Sequence, residues 1–196
     1  MDVIILAGGE NKRFPMIKGF LEINGRGIIE KNIELLKGIF DRVIISTNNP
    51  ELYFYLNVTM VGDIIECRGP MTGILSALTI PEVSEVFVTA CDMPFIKPEL
   101  IKYIVDKWEK EYDAAIPIFD KKPQPLFGIY SKRVAKRMEQ SIKNGERSLR
   151  EFLRGINVLY IKEEEVREID PEGRSFININ TIEDFQKEIG GEICLV

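Results

Sequence analysis

The stretch that decides the fold is residues 3–18, which read VIILAGGENKRFPMIK. The uninterrupted apolar run from Val3 to Ala7 favours a strand that is covered on both faces, as in a parallel sheet. Gly8 and Gly9 then allow a positive φ and a close approach of backbone N–H groups to a ligand. Because this loop follows the first strand directly, it is a candidate phosphate site, with an ordinary tight turn as the alternative.

Two basic side chains in the same loop suit an anion. Arg13 can donate two parallel hydrogen bonds to phosphate oxygens, and Lys18 can act as a point charge. The loop matches neither the Walker A pattern nor the Gly-x-Gly-x-x-Gly fingerprint of dinucleotide-binding proteins. The alternative is that both side chains are solvated. The loop therefore indicates a bound anion without naming a reaction.

The composition excludes several kinds of site. The chain has 196 residues, with 26 Lys and Arg against 31 Asp and Glu, which suits one domain and argues against a nucleic-acid surface. It has no His, which excludes Ser-His and Cys-His triads, and its 3 Cys form no CxxC pair. A metal would therefore be held by oxygen ligands, and Mg²⁺ is the expected ion. With no membrane-length apolar run and no basic leader, we expect a cytoplasmic protein.

Short apolar runs alternate with amphipathic segments along the chain. The predicted strands are 2–7, 42–46, 58–61, 85–90, 113–119, 125–131 and 157–161. The predicted helices are 28–40, 72–80, 98–110, 132–143, 147–154 and 181–188. This alternation favours an α/β fold with three layers around a doubly wound, mostly parallel sheet. Ligands bind at the carboxyl ends of such strands, and four stretches fall there: 8–18, 46–50, 62–73 and 91–96.

Two aspartates lie at this predicted edge. Asp92, in FVTACDMPF (87–95), could bind Mg²⁺ beside nucleotide phosphates, or could cap a helix or be a buried hydrogen-bonded side chain. Asp63 could accept hydrogen bonds from a base or a ribose, or could be a turn residue. The residues alone leave these alternatives open.

Two later segments are candidates for a second ligand. Asn178 and Asn180 alternate in FININT (176–181), so their side chains point the same way if the segment is extended; the alternative is a turn with a helix cap. Arg147 begins a series of three arginines at roughly helical spacing, which could meet a second phosphate or form a solvated face.

Taken together, these segments resemble the molybdenum cofactor guanylyltransferase (MobA) family within the nucleotidyltransferase superfamily. LAGGENKRFPMIK (6–18) is similar to the signature loop of the superfamily. The matching later segments, in order, are GPMTGILSAL (69–78), CDMPFI (91–96), QPLFGIYS (124–131) and FININTIEDF (176–185). The resemblance extends from about Met1 to Phe185, and the later motifs are more specific than the first loop.

The resemblance implies a Rossmann-like nucleotidyltransferase fold in a single domain, with a nucleotide-binding half at about 1–96 and an acceptor-binding half at about 97–196. It implies transfer of GMP from GTP to the molybdopterin cofactor with Mg²⁺, and transient contact with cofactor-accepting enzymes. The implied nucleotide-binding residues are Leu6, Ala7, Gly8, Gly9, Lys18, Ser46, Asn48, Asp63, Gly69, Gly73 and Asp92. The implied acceptor-binding residues are Arg147, Asn178 and Asn180. Catalysis would depend on Arg13, Lys18 and Asp92, with Asp92 as the metal ligand.

The signature loop departs from the family at two positions. Pro15 stands where the family has Gly, and Ile17 stands where it usually has Asp. Proline has no N–H to donate to a phosphate. Two alternatives therefore stay open: a nucleotidyltransferase for another acceptor, such as a sugar phosphate or a phospholactate, and a nucleotide-binding accessory protein without turnover. The base, guanine or another, is also open.

Overall fold

The structure, a computed structural model, describes residues 1–8, 22–23, 25–67, 69–179 and 181–189. Its strands are β1 Asp2–Leu6, β2 Glu22–Ile23, β3 Arg26–Gly27, β4 Arg42–Ser46, β5 Thr59–Val61, β6 Glu85–Ala90, β7 Ala114–Phe119, β8 Lys122–Pro123, β9 Gly128–Ser131 and β10 Val158–Ile161. Its helices are α1 Ile28–Lys37, α2 Pro70–Leu78, α3 Pro98–Lys107, α4 Ala135–Lys143, α5 Leu149–Leu153, α6 Glu163–Ile169 and α7 Ile182–Ile189. Within these ranges, every helix is too short or too polar to cross a membrane.

One large sheet organises the molecule, in the order β10-β7-β9-β6-β1-β4-β5. The central strand β1 pairs in parallel with β4 and with β6, and Leu6 lies opposite Ser46 and Ala90. Strand β9 runs antiparallel to both β6 and β7, while β10 is parallel to β7. The predicted α/β class with a mostly parallel sheet is therefore confirmed.

The side chains of β1 show why three layers form. Val3 and Ile5 pack into the cluster that contains the apolar faces of α1 and α3, whereas Ile4 packs on the other face with α2, α4 and α5. All three side chains are fully buried. Burying an aliphatic side chain of this size stabilises a fold by about 1.5–3 kcal/mol, so a strand with apolar residues on both faces is most stable between two helical layers.

The predicted and observed elements differ mainly at their ends. The helix predicted at 147–154 is α5 at Leu149–Leu153, and Ser148 caps it by accepting a hydrogen bond from Glu151 N at 3.3 Å. Arg147 therefore precedes the helix, and the predicted helical series of three arginines is wrong. The last helix begins with a reciprocal cap, because Thr181 Oγ1 accepts from Asp184 N at 3.1 Å while Thr181 N donates to Asp184 Oδ2 at 2.9 Å.

Candidate functional site

The candidate site begins where neighbouring parallel strands end together. Ala7 N donates to Ser46 O at 2.9 Å, which continues the β1–β4 pairing beyond the strands. Cys91 N donates to Leu6 O at 3.1 Å and does the same for β1 and β6. The segments that follow β1, β4 and β6 are thus held in register at one edge. As far as the structure describes these loops, the prediction that they meet at one edge of the sheet is confirmed.

Two glycines bring the start of α2 to this edge. Gly69 precedes the helix with φ 140°, a backbone conformation that favours glycine, and Pro70 opens the helix. A Cβ atom at Gly73 would lie 2.5 Å from Ser46 Oγ and 2.8 Å from Leu6 Cδ2. Only glycine lets the helix approach the ends of β1 and β4 so closely. These two predicted nucleotide-binding positions therefore also shape the edge itself.

Asn48 and Asp63 form a reciprocal pair on the outer side of the site. Asn48 Nδ2 donates to Asp63 Oδ2 at 2.7 Å, and Asp63 N donates to Asn48 Oδ1 at 2.8 Å. The two hydrogen bonds join the segment after β4 to the segment after β5, and the first of them holds the Oδ2 atom of Asp63. A donor to a carboxylate makes a short and comparatively strong hydrogen bond. The structure therefore brings these two predicted residues together.

Ser76 supports the same segment from α2, although sequence reasoning did not identify it. Its hydroxyl oxygen accepts a hydrogen bond from Ile64 N at 3.1 Å and donates to Thr72 O at 2.9 Å. Ser76 is fully buried within an apolar helix. A buried hydroxyl must be hydrogen-bonded, so a serine on the inner face of α2 was the available signal.

Asp92 lies just after β6 in a segment that is held from two sides. Its carbonyl oxygen accepts from Ile179 N at 2.9 Å, and Met93 O accepts from Asn32 Nδ2 at 2.9 Å. Asn32 lies on the buried face of α1, and sequence reasoning did not identify it either. Helix α3 has Lys97 as its N-cap, so the alternative that Asp92 caps this helix is wrong.

Of the predicted acceptor residues that the structure describes, Asn178 lies close to this edge. Asn178 immediately precedes Ile179 and is partly buried beside the Asp92 segment. Arg147 is exposed in the connection between α4 and α5, and α4 packs against α2. Outside the described residues lie the predicted Gly9, Arg13, Lys18 and Asn180, together with Pro15 and Ile17.

Tyr53 is almost fully buried in the apolar cluster against which Cys91 also packs. Burial, and next the neighbouring Cys91 thiol, raise the pKa of its phenol far above the ordinary value. The phenol is therefore neutral over the physiological range.

The donor set suits a divalent cation that is shared with a nucleotide. Among the described residues, no group of three or more His, Cys, Asp and Glu side chains could hold a metal by itself. Asp92 offers a hard carboxylate at the strand ends, and Mg²⁺ is commonly bound by one or two carboxylates together with substrate phosphates. The described residues thus fit a divalent cation held between one side chain and a polyphosphate, and do not form a protein cage by themselves.

Relatives of the chain are similar over most of its length. A relative from Peptoclostridium acidaminophilum, described as a probable molybdenum cofactor guanylyltransferase, is 35% identical over 190 residues, which cover 94% of this chain and 86% of the relative. The solved structure of molybdopterin-guanine dinucleotide biosynthesis protein A from Archaeoglobus fulgidus is 30% identical, with a TM-score of 0.84 and 97% of both chains covered.

A more distant solved structure has the same fold. A protein from Mycobacterium tuberculosis, solved in complex with manganese, is 11% identical with a TM-score of 0.64, covering 97% of this chain and 98% of that chain. At that identity the likeness shows the fold alone.

The family model described as MobA-like NTP transferase domain matches residues 3–165. On this match, and on the relative that is 35% identical, the chain belongs to the MobA-like NTP transferase family.

Proposed function

We propose that this chain transfers GMP from GTP to the molybdopterin cofactor, producing the guanine dinucleotide cofactor and pyrophosphate. The observation that carries the proposal is the hydrogen bond of 2.9 Å from Ile179 N to Asp92 O. It joins the segment that carries Asn178 to the edge where β1, β4 and β6 end. A nucleotide at that edge and an acceptor beside Asn178 would meet at Asp92. The relatives described above are named for this reaction.

The nucleotide would occupy the half of the domain at about residues 1–96. Backbone groups of the segment after β1 would contact it, with Gly9 and Lys18 on its phosphates. Asp63 would accept hydrogen bonds from the guanosine, while Asn48 holds its Oδ2 atom by a bond of 2.7 Å. Ser46, Gly69 and Gly73 would border the nucleotide where α2 meets β1 and β4.

The acceptor would occupy the half at about residues 97–196, with Asn178, Asn180 and Arg147 as its contacts. Amide side chains suit the carbonyl and N–H groups of a flat pterin, and Arg147 suits its phosphate. We also propose transient contact with the enzymes that receive the finished cofactor.

The reaction is an in-line displacement at the α-phosphorus of GTP. A terminal phosphate oxygen of the acceptor forms the new P–O bond, while the P–O bond to the β-phosphate breaks and pyrophosphate leaves. The nucleophile is already an anion, so no general base is needed and a chain without His can perform the reaction. Arg13 and Lys18 would neutralise phosphate charge and align the two anions. Asp92 would hold Mg²⁺, which supplies further neutralisation of the triphosphate when bound.

A nucleotide-binding role without turnover is the second candidate, and Pro15 favours it. Proline cannot donate a backbone hydrogen bond to a phosphate at that position of the loop. This candidate predicts that GTP binds and that pyrophosphate is not released.

The test is to incubate the purified protein with labelled GTP and Mg²⁺ and with one acceptor at a time: molybdopterin cofactor, a sugar phosphate or a phospholactate. Of the three acceptors, we expect only molybdopterin cofactor to give pyrophosphate release. The rate of release should fall by about 10²-fold or more in Asp92→Asn and in Lys18→Ala. Asp2→Asn is the matched control, because Asp2 pairs with Arg42 at the opposite end of β1. Retained transfer in either site variant would overturn the roles given to these residues, and GTP binding without release would support the second candidate.

A further inference from the structure

The segment Asp92–Lys97 and the segment Asp170–Ile179 lie side by side. Besides the hydrogen bond from Ile179 N to Asp92 O, the Arg174 guanidinium lies over the Phe95 ring at 4.0 Å from the centroid. At the far end, Lys97 N donates to Ser175 Oγ at 3.1 Å. Contacts at both ends and in the middle therefore join the segment that carries the proposed metal ligand to the segment that carries Asn178.

A fully buried carboxylate lies at the far end of this contact. Asp170 Oδ1 lies 3.1 Å from Lys97 Nζ, and Asp170 Oδ2 accepts from Ser175 N at 2.8 Å. Lys97 Nζ also donates to Ile169 O at 3.2 Å. Burial acts to raise the pKa of Asp170, but the hydrogen bonds from Ser175, the adjacent Lys97 ammonium and the Arg174 N–H outweigh it and hold that pKa below the ordinary value. Asp170 is therefore ionised when the protein is folded at neutral pH.

Overall stability does not explain this arrangement well. A buried ion pair often adds little stability compared with apolar residues of the same volume, because desolvating the charges offsets their attraction. The neighbouring Phe176 already anchors the segment, with ring centroids 5.4 Å from Phe119 and 5.5 Å from Phe127. An ion pair with directed hydrogen bonds adds what apolar packing lacks, which is a fixed register between the two segments.

We infer that Asp170, acting through Lys97 and Ser175, is a positioning residue that fixes Asn178 relative to Asp92. Lys97 follows Asp92 in one segment, and Ser175 precedes Asn178 in the other, so holding these two residues together sets the position of Asn178 against the Asp92 segment. The structural part of this inference depends only on the described contacts. Its consequence for the acceptor rests on the proposed function.

The structural part is tested with Asp170→Asn, which keeps the size of the side chain and removes its charge. The matched control is Asp2→Asn, because the Asp2–Arg42 pair has comparable exposure, 12% and 33% against 0% and 35% for Asp170 and Lys97. Hydrogen exchange followed by mass spectrometry reads the protection of the Ile179 amide. We expect exchange in peptides covering 177–179 to be about tenfold faster in Asp170→Asn and unchanged in Asp2→Asn. Equal exchange in the two variants would overturn the inference.

The functional part is tested by the Michaelis constants of both substrates. In Asp170→Asn we expect the KM for molybdopterin to rise about tenfold, since small misplacements at a reacting centre are costly, while the KM for GTP stays within about twofold. Lys97→Met should give the same pattern, and the double variant should be no worse than either single variant. A parallel rise in both Michaelis constants would show a general structural role and would contradict the inference. A wild-type protein that does not use molybdopterin would remove the proposed function, and the exchange measurement would still decide the positioning role.

Discussion

Replacing Gly73 by alanine tests whether the start of α2 borders the nucleotide. The new Cβ would lie 2.5 Å from Ser46 Oγ, whereas an ordinary contact begins at 3.4 Å, so the two groups must move apart by about 0.9 Å. Leu6 Cδ2 at 2.8 Å blocks a second direction. Ser46 is buried and Leu6 is partly buried at the ends of their strands, so α2 or the ends of β1 and β4 must shift.

The expected effects on stability and activity differ in size. Overpacking of a core typically costs about 1–3 kcal/mol, and the better helix propensity of alanine returns roughly 0.5–1 kcal/mol. We therefore expect the free energy of unfolding to fall by no more than about 2.5 kcal/mol. A misplacement near 1 Å at a substrate site can cost about 10²-fold, so kcat/KM for GTP should fall by roughly 10- to 100-fold.

The assay is urea denaturation beside steady-state kinetics with GTP varied. Gly155→Ala is a matched control, because its Cβ would also lie 2.5 Å from a neighbour, but that neighbour is the mobile end of Arg137. We expect this control to change neither quantity. Adding Ser46→Ala to Gly73→Ala should recover part of the lost stability. A Gly73→Ala protein that keeps kcat/KM for GTP within about twofold would refute the reasoning.

Three further predictions concern single interactions. Asn48→Asp sets a second carboxylate against Asp63, and it should lower the melting temperature and weaken GTP binding about tenfold in titrations. Adding Asp63→Asn should restore the melting temperature but not the GTP affinity, and a restored affinity would contradict the role of the Asp63 charge. Thr181→Ala removes a helix cap and should cost about 1 kcal/mol in urea denaturation, whereas no change would show that the cap is dispensable. Because folding lowers the pKa of Asp170, the stability it contributes is present above about pH 4 and is lost as the pH falls further. The difference in unfolding free energy between wild type and Asp170→Asn should therefore shrink from pH 7 to pH 3, and a constant difference would contradict this.

The fold was predictable because its signals are local. Consecutive apolar residues, as in β1, indicate a strand covered on both faces, and the alternation of such strands with amphipathic segments indicates the layers. Helix α6 was missed because Val166 is its one buried residue among those described, and its first turn, Glu163 to Glu165, looks like a solvated segment. The strands β2, β3 and β8 have two residues each, which is too short for a periodic pattern.

The site was predictable only in part. Asp63 and Asp92 could be identified because polar residues that follow strands of a parallel sheet meet at one edge. Three other residues could not be identified in this way: Asn32, Ser76 and Asp170. The role of each depends on a hydrogen bond or ion pair with a residue from another segment of the chain, as with the bond from Asn32 Nδ2 to Met93 O. A polar residue on an otherwise apolar helix face signals a buried hydrogen bond, but the fold is needed to name its partner.

The most direct test of the central claim is guanylyl transfer by the wild-type protein. Purified protein, labelled GTP, Mg²⁺ and molybdopterin cofactor are combined, and both pyrophosphate and the labelled dinucleotide product are measured over time. We predict that the two products appear in equal amounts, and that neither appears when molybdopterin is replaced by a sugar phosphate or a phospholactate. Bound GTP without pyrophosphate release, or release with another acceptor alone, would contradict the account.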